Sequence, residues 1–94
     1  MEDLQMTIHA QTRLQQRGIP RAVLPYLFAY GRHMHDEHGA RIVYFDRTGR
    51  QRIRVAAGER EYKRLERALN VYAVVSHGGT VITVGRRTHR VNRH

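Results

Sequence analysis

The chain contains no cysteine among its 94 residues. This absence excludes disulfides, thiol catalysis and zinc sites built from cysteine, and it suits a reducing cytoplasm. The sequence also lacks an apolar run of the roughly 20 residues that a membrane helix needs. Its first residues, MEDLQM, are acidic and unlike an export signal. We therefore expect a soluble, cytoplasmic protein with no membrane partner.

Lysine is nearly absent, and acidic residues are few. Of the 17 Lys and Arg residues, only Lys63 is a lysine, and none of the 8 acidic residues follows Glu66. The formal net charge of +9 predicts a polyanionic partner, either nucleic acid or an acidic protein. Arginine suits such a partner because its planar guanidinium matches phosphate. A bias in genomic base composition is the alternative explanation for the preference for arginine.

The chain shows no linker or repeat, so we predict a single domain over residues 1–94, with 90–94 as a basic tail. Apolar periodicity and the placement of glycines predict three helices and four strands. Pro25 fits the second helix only if that helix starts late or kinks. The expected helices cover 7–17, 21–30 and 59–70, and the expected strands cover 40–46, 51–57, 71–77 and 80–86.

The predicted order of these elements is ααββαββ. Helices and strands do not alternate strictly, which favours an α+β domain. We expect a small, mostly antiparallel four-stranded sheet with the helices packed on one face. The last two strands are apolar over much of their length, so they should form the centre of the sheet.

A basic stripe on the first helix is the first candidate site. His9, Arg13 and Arg17 recur every four residues, so they lie along one side of the helix. A histidine beside arginines combines a proton-transfer group with side chains that bind phosphate. The alternative is a solvated face, or one paired with acidic side chains of other elements.

Further candidates lie at the end of the last strand. Arg86, Arg87 and His89 lie at or beyond that end, where a sheet can hold side chains rigidly. The alternative is that they belong to a frayed basic tail.

The expected strand 51–57 and the residue before it supply a third set of basic side chains. Arg50, Arg52 and Arg54 would form a ridge on one strand face and follow a phosphate backbone. Two tyrosines are expected either to stack on bases near this ridge or to pack in the core with their hydroxyls at its edge. They are Tyr44 and Tyr72.

The stretch RHMHDEH, residues 32–38, is rich in potential metal ligands. His33, His35 and His38 lie beside two acidic residues, but their spacing matches no compact metal-binding motif. We therefore predict a polar loop between a helix and a strand, and a protein that uses neither a metal nor another cofactor.

Two short motifs carry a resemblance to a known family. The pattern H-A-x-x-R-x-x-x-R-G-I falls on His9 to Ile19, and a strand V-I-T-V followed by arginines falls on Val81 to Arg87. Together they resemble a family of small uncharacterised bacterial proteins that is grouped with the RelE-, BrnT- and barnase-like toxins. The resemblance implies a small sheet flanked by helices and RNA cleavage without a metal.

The resulting hypothesis is an RNA-cleaving toxin, with RNA as its substrate and an acidic antitoxin-like protein as its partner. Cleavage by a ribose 2′-hydroxyl needs a base, an acid and positive charge at the phosphorane. We assign His9 as the base and His89 as the acid, while Arg13 and Arg86 would hold the phosphate. The side chains expected to bind the nucleic-acid backbone are Arg17, Arg50, Arg52, Arg54 and Arg87.

The alternative function belongs to a different class. The same arginines would serve a non-catalytic domain that binds nucleic acid or an acidic protein.

Overall fold

The computed structural model describes residues 4–87 of the chain. It contains four helices, a 3₁₀ turn and a four-stranded antiparallel sheet with the strand order β1-β2-β3-β4. The elements are α1 (Ile8–Gln16), α2 (Val23–Tyr30), β1 (Arg32–His35), β2 (Arg41–Tyr44), α3 (Arg47–Ala57), α4 (Glu59–Leu65), the 3₁₀ turn Glu66–Ala68, β3 (Val71–Val75) and β4 (Val81–Arg86).

The predicted fold class is confirmed, but the expected sheet centre is wrong in part, because β3 is central whereas β4 lies at the edge. The protein is α+β, and its order matches ααββαββ because α3 and α4 form one helical segment interrupted at Gly58. Across the described residues, no helix combines the length and the apolar character needed to cross a bilayer.

Helix α1 begins and ends within one residue of its predicted bounds, and helix α2 begins two residues later than predicted. The Thr7 side chain accepts a hydrogen bond from the Ala10 N–H and caps α1. Gly18 follows the C-terminus of α1 with a φ of +62°, a conformation that favours glycine. Helix α2 starts late, at Val23, which places Pro25 in its first turn, where no intrahelical N–H donor is needed.

The strand predicted over 51–57 is wrong, because these residues belong to helix α3. The prediction depended on the alternation of Ile53 and Val55, but Ile53 is fully buried whereas Val55 is 77% exposed. Gly49 and Ile53, four residues apart, form the buried side of the helix. Asp46 caps it by accepting a hydrogen bond of 2.8 Å from the Gly49 N–H.

The polar loop predicted over 32–38 is also wrong in part. Residues Arg32–His35 form the edge strand β1, which pairs with β2. The hairpin turn that follows is stabilised by Asp36, whose Oδ1 accepts hydrogen bonds from the N–H groups of His38 and Ala40 at 2.8 and 3.0 Å. The strand was missed because all four of its residues are exposed, so it lacks the apolar alternation of a half-buried strand.

The two faces of the sheet have different surroundings. The helices cover one face, where Val43, Ala73 and Val84 lie in register on neighbouring strands and are buried in the single core. We call the other side the open face. Because side chains alternate along a strand, it carries Arg32, Met34, Ile42, Tyr44, Tyr72, Val74, Thr83, Gly85 and, just beyond β4, Arg87.

A β-bulge interrupts the pairing of β3 with β4. Val75 pairs with Val81 and Val74 pairs with Thr83, so Ile82 is an extra residue on β4. The bulge brings Gly85 opposite Tyr72 and leaves Arg86 opposite Val71. It therefore sets which of the residues at the end of β4 reach the open face.

Candidate nucleic-acid interface

Arg86 and Arg87 are adjacent in sequence but reach opposite faces of the sheet. Arg86 lies on the covered face, and its guanidinium donates hydrogen bonds to the carbonyls of Arg17 and Gly18 at 3.1 and 3.0 Å. A third hydrogen bond, of 3.1 Å, reaches Oδ1 of Asn70. The expected phosphate-binding residue Arg86 therefore satisfies the carbonyls at the C-terminus of α1 and joins that helix to the sheet.

Arg87 lies at the end of β4 on the open face. Its guanidinium carbon lies 4.5 Å from the centre of the Tyr44 ring, within the range of a cation–π contact. Its Nη1 donates a hydrogen bond of 3.2 Å to the carbonyl of Phe45, and its backbone N–H donates to the carbonyl of Asn70. These contacts place a cationic group directly over an aromatic ring.

Tyr72 lies beside this pair and packs against the backbone of β4. A Cβ atom added at Gly85 would lie only 2.7–2.8 Å from three atoms of the Tyr72 side chain. The absence of a side chain at Gly85 therefore lets Tyr72 lie against the strand. Tyr72 pairs with Tyr44 across β2 and β3, and both are partly exposed. We call Tyr44, Tyr72, Gly85 and Arg87 the tyrosine platform.

The rest of the open face is cationic at one end and apolar elsewhere. Arg32 pairs with Tyr44 on β1, and its Nη1 lies 3.9 Å from Oδ2 of Asp46. Met34 and Ile42 are 51% and 45% exposed. The open-face residues of the described strands include no acidic side chain. The surface therefore combines positive charge, aromatic rings and exposed apolar groups.

The basic stripe of α1 is formed as predicted. Nε of Arg13 donates a hydrogen bond of 3.4 Å to Nε2 of the exposed His9. In this arrangement Nε2 of His9 is the hydrogen-bond acceptor. In the part of the chain that the structure describes, neither side chain has another hydrogen bond or ion pair, so neither is matched to an acidic residue.

The stripe and Arg87 lie on different sides of the sheet. Ala10 and Leu14 anchor α1 in the core beneath the covered face, whereas Arg87 contacts Tyr44 on the open face. The side chain of Arg17 is exposed, and its carbonyl accepts the hydrogen bond from Arg86. The structure thus brings Arg86 to the end of α1, whereas Arg87 lies on the opposite face of the sheet from the stripe.

The ridge predicted for Arg50, Arg52 and Arg54 does not form, because these residues lie on a helix and point in different directions. Arg50 Nη2 donates a hydrogen bond of 3.1 Å to the carbonyl of Leu69. Arg54 lies over the Tyr62 ring at 4.4 Å and pairs with Glu59 at 3.2 Å, while Arg52 lies 5.7 Å from the Tyr30 ring. At least Arg50 and Arg54 are engaged in stabilising the helical layer.

The histidine-rich segment forms no metal centre. Within residues 4–87, no three His, Cys, Asp or Glu side chains could hold a metal ion. The Nδ1 of His33 accepts a hydrogen bond of 3.1 Å from Nε of Arg41, and its Nε2 lies 3.3 Å from the carbonyl of Phe28. His35 and His38 are exposed beside a shallow hollow at the hairpin turn. His89 and the predicted tail 90–94 lie outside the described residues.

Sequence reasoning missed the arrangement of the platform, although it named both tyrosines. Two signals were present in the sequence. The alternation in VYAVV directs the Tyr72 side chain to the face opposite that of its buried neighbours. A glycine within a strand, such as Gly85, often marks close approach by another group. Arg32 could not be found, because β1 itself was not predicted.

Comparisons of this chain with protein-family models, with curated proteins and with solved structures gave no match.

Proposed function

We propose that the protein binds single-stranded RNA on the open face of its sheet. The observation that carries the proposal is the tyrosine platform, where Arg87 lies over Tyr44 and Tyr72 lies against Gly85. Proteins bind single strands by stacking bases on aromatic rings and placing cationic groups along the backbone. The platform offers both on a face that none of the helices within residues 4–87 covers.

Each part of the platform has a role in this proposal. The partly exposed ring of Tyr72 offers a surface for one base, and Gly85 beneath it keeps the ring close to the strand. Arg87 and Arg32 lie on either side of Tyr44 and would attract the phosphates that flank the base. The formal charge of +9 adds a long-range attraction toward a polyanion.

Binding of a labelled single-stranded RNA, measured by fluorescence anisotropy over a range of salt concentrations, tests this function. Tyr72→Ala should weaken binding by about 1–3 kcal/mol, the usual contribution of one stacked base. Tyr72→Phe keeps the ring and should bind nearly as well as the unmodified protein. Equal binding by Tyr72→Ala and Tyr72→Phe would place the RNA elsewhere.

A second candidate function is cleavage of the bound RNA, and the contact between His9 and Arg13 favours it. The Nε2 of His9 is free to take a proton from a ribose 2′-hydroxyl once Arg13 turns to a phosphate. The resemblance to RelE-, BrnT- and barnase-like toxins also supports this chemistry. Because Arg86 at the end of β4 bonds to the carbonyl of Arg17, an RNA that continues past Arg87 around the end of this strand would approach the stripe.

Cleavage is tested with single substitutions on the stripe. His9→Ala should reduce the rate about 10²–10⁴-fold, as expected for loss of a proton-transfer group. Arg13→Ala should reduce it about 10²–10³-fold through loss of transition-state charge. Arg21→Ala removes one exposed positive charge away from the stripe and is the matched control. Full activity in a folded His9→Ala protein would exclude His9 as the base.

An acidic antitoxin-like protein is the further partner that we propose, and we place the interaction in the cytoplasm. The net positive charge of the chain favours such a partner.

A further inference from the structure

Among residues 4–87, one side of strand β1 is unpaired. The strand lies at the end of the order β1-β2-β3-β4, and its partner in this part of the chain is β2. At the opposite end of the sheet, β4 is shielded by the segment before α1, where Met6 forms a parallel bridge with Val81. The two edges of the same sheet are therefore different, and in the described part of the chain only the edge at β1 lacks a backbone partner.

The register shows which backbone groups of β1 face outward. The Asp36 N–H donates to the carbonyl of Ala40, so these two residues form a hydrogen-bonded pair. In an antiparallel ladder such pairs alternate, which directs the N–H and C=O groups of Met34 and Arg32 toward β2. The N–H and C=O groups of His33 and His35 point away from the sheet, and both residues are exposed.

Three of the four side chains of β1 carry positive or potentially positive charge, and the acidic residues Asp36 and Glu37 lie beyond the strand in the hairpin turn. Arg32 lies on the open face, while His33, His35 and Arg41 lie on the other side of the sheet. A second copy of β1 paired here would bring these like charges together, which disfavours self-association. An acidic strand would be attracted instead. Met34 and Ile42 add exposed apolar contacts for its alternate side chains.

We propose that the free edge of β1 accepts an extended acidic segment of a protein partner as a fifth strand. The segment would exchange backbone hydrogen bonds with His33 and His35, and its carboxylates would lie near Arg32 and Arg41. This inference specifies how the acidic partner proposed above would bind. It uses the backbone edge of β1, whereas RNA binding uses the platform on the open face, and the two surfaces share only Arg32.

The probe is a synthetic ten-residue peptide of alternating glutamate and valine, titrated into the full chain. Amide hydrogen exchange measured by NMR should slow at His33 and His35, whose N–H groups gain partners. Exchange at Met34 should change little, because its N–H group already bonds to β2. The same peptide methylated on every backbone nitrogen keeps its charges but has no N–H donors, and it should not bind.

A pair of variants tests the same edge from the side of the protein. His35→Pro removes one outward N–H group at a position where an edge strand tolerates proline, and it should weaken peptide binding at least about tenfold. His35→Ala keeps that N–H group and should weaken binding less than about threefold. Both variants should bind RNA as the unmodified protein does, which separates this proposal from the proposed function.

Three outcomes would overturn the inference. The first is equal binding of the methylated and unmethylated peptides, which would show attraction by charge alone. The second is slowed exchange confined to other elements of the fold. The third is a chain that dimerises through β1 in sedimentation experiments, since the edge would then be occupied by a second copy.

Discussion

Arg86 and Arg87 illustrate how the two faces of one sheet assign different roles to the same residue type. Arg86 bonds to the carbonyls of Arg17 and Gly18 and holds α1 against the sheet. Arg87, one residue later, lies over Tyr44 on the face that the helices leave open. Both residues carry the same charge, and both lie at the end of the same strand. The face that each side chain reaches decides whether it joins a helix to the sheet or lies on the surface proposed to bind RNA.

The same contrast holds for the aromatic neighbours at the end of β2. Phe45 is 2% exposed and belongs to the core, whereas Tyr44 is only partly buried and belongs to the platform. Substitutions on the covered face should therefore change the free energy of unfolding. Substitutions on the open face should mainly change RNA binding.

The largest expected effect comes from these two aromatic residues. Phe45→Ala should lower the free energy of unfolding by about 3–5 kcal/mol, because it leaves a cavity in the core. Tyr44→Ala should cost clearly less stability, since its ring is partly in contact with water, but it should weaken RNA binding. Urea denaturation and fluorescence anisotropy measure the two quantities. Equal losses of stability would mean that the two faces are not distinct.

An intermediate effect is expected for the two arginines. Arg86→Ala should lower the free energy of unfolding by about 1–3 kcal/mol, because it removes charge-assisted hydrogen bonds to the carbonyls of Arg17 and Gly18. Arg87→Ala should reduce the slope of log affinity against log salt concentration by about 0.7, the contribution of one phosphate contact on a single strand.

The control for the two arginines is Arg21→Ala, which removes the same charge from an exposed position. It should change neither the stability nor the salt dependence appreciably. A loss of RNA affinity in Arg86→Ala that exceeds the loss in Arg87→Ala, in protein that remains folded, would reverse the roles assigned here.

The smallest expected effect on stability comes from Gly85→Ala. The added Cβ would lie 2.7 Å from the Tyr72 side chain, so the ring must move away from the strand. Because the ring can turn toward solvent, we expect a cost of about 1 kcal/mol. RNA binding should fall toward that of Tyr72→Ala, and the double variant should bind no worse than Tyr72→Ala. Independent, additive losses would separate Gly85 from the platform.

Local sequence signals were sufficient for much of the fold. Helix α1 was predictable because Thr7 caps it, Gly18 follows it, and Ala10 and Leu14 supply its buried side. The hairpin of β3 and β4 was predictable because apolar runs flank Gly78 and Gly79. These signals act over a few residues, through capping, turns and side-chain periodicity. The stripe of His9 and Arg13 follows from the same helical spacing.

Local signals failed where packing decided the conformation. The alternation of Ile53 and Val55 indicated a strand. The segment is instead a helix, which buries Gly49 and Ile53 in the core and is capped by Asp46. Strand β1 is exposed along its whole length, so it forms through its ladder with β2 and not through an apolar pattern of its own.

What the sequence by itself determined is the α+β class, helix α1, the hairpin of β3 and β4, the excess of positive charge and the helical stripe of His9 and Arg13. Strand alternation also required Arg86 and Arg87 to diverge. Only the tertiary structure decided which of them faces the helices, because that depends on which side of the sheet the helices cover. It also decided that Tyr72 meets Gly85, since the bulge at Ile82 sets a register between strands that no local pattern encodes.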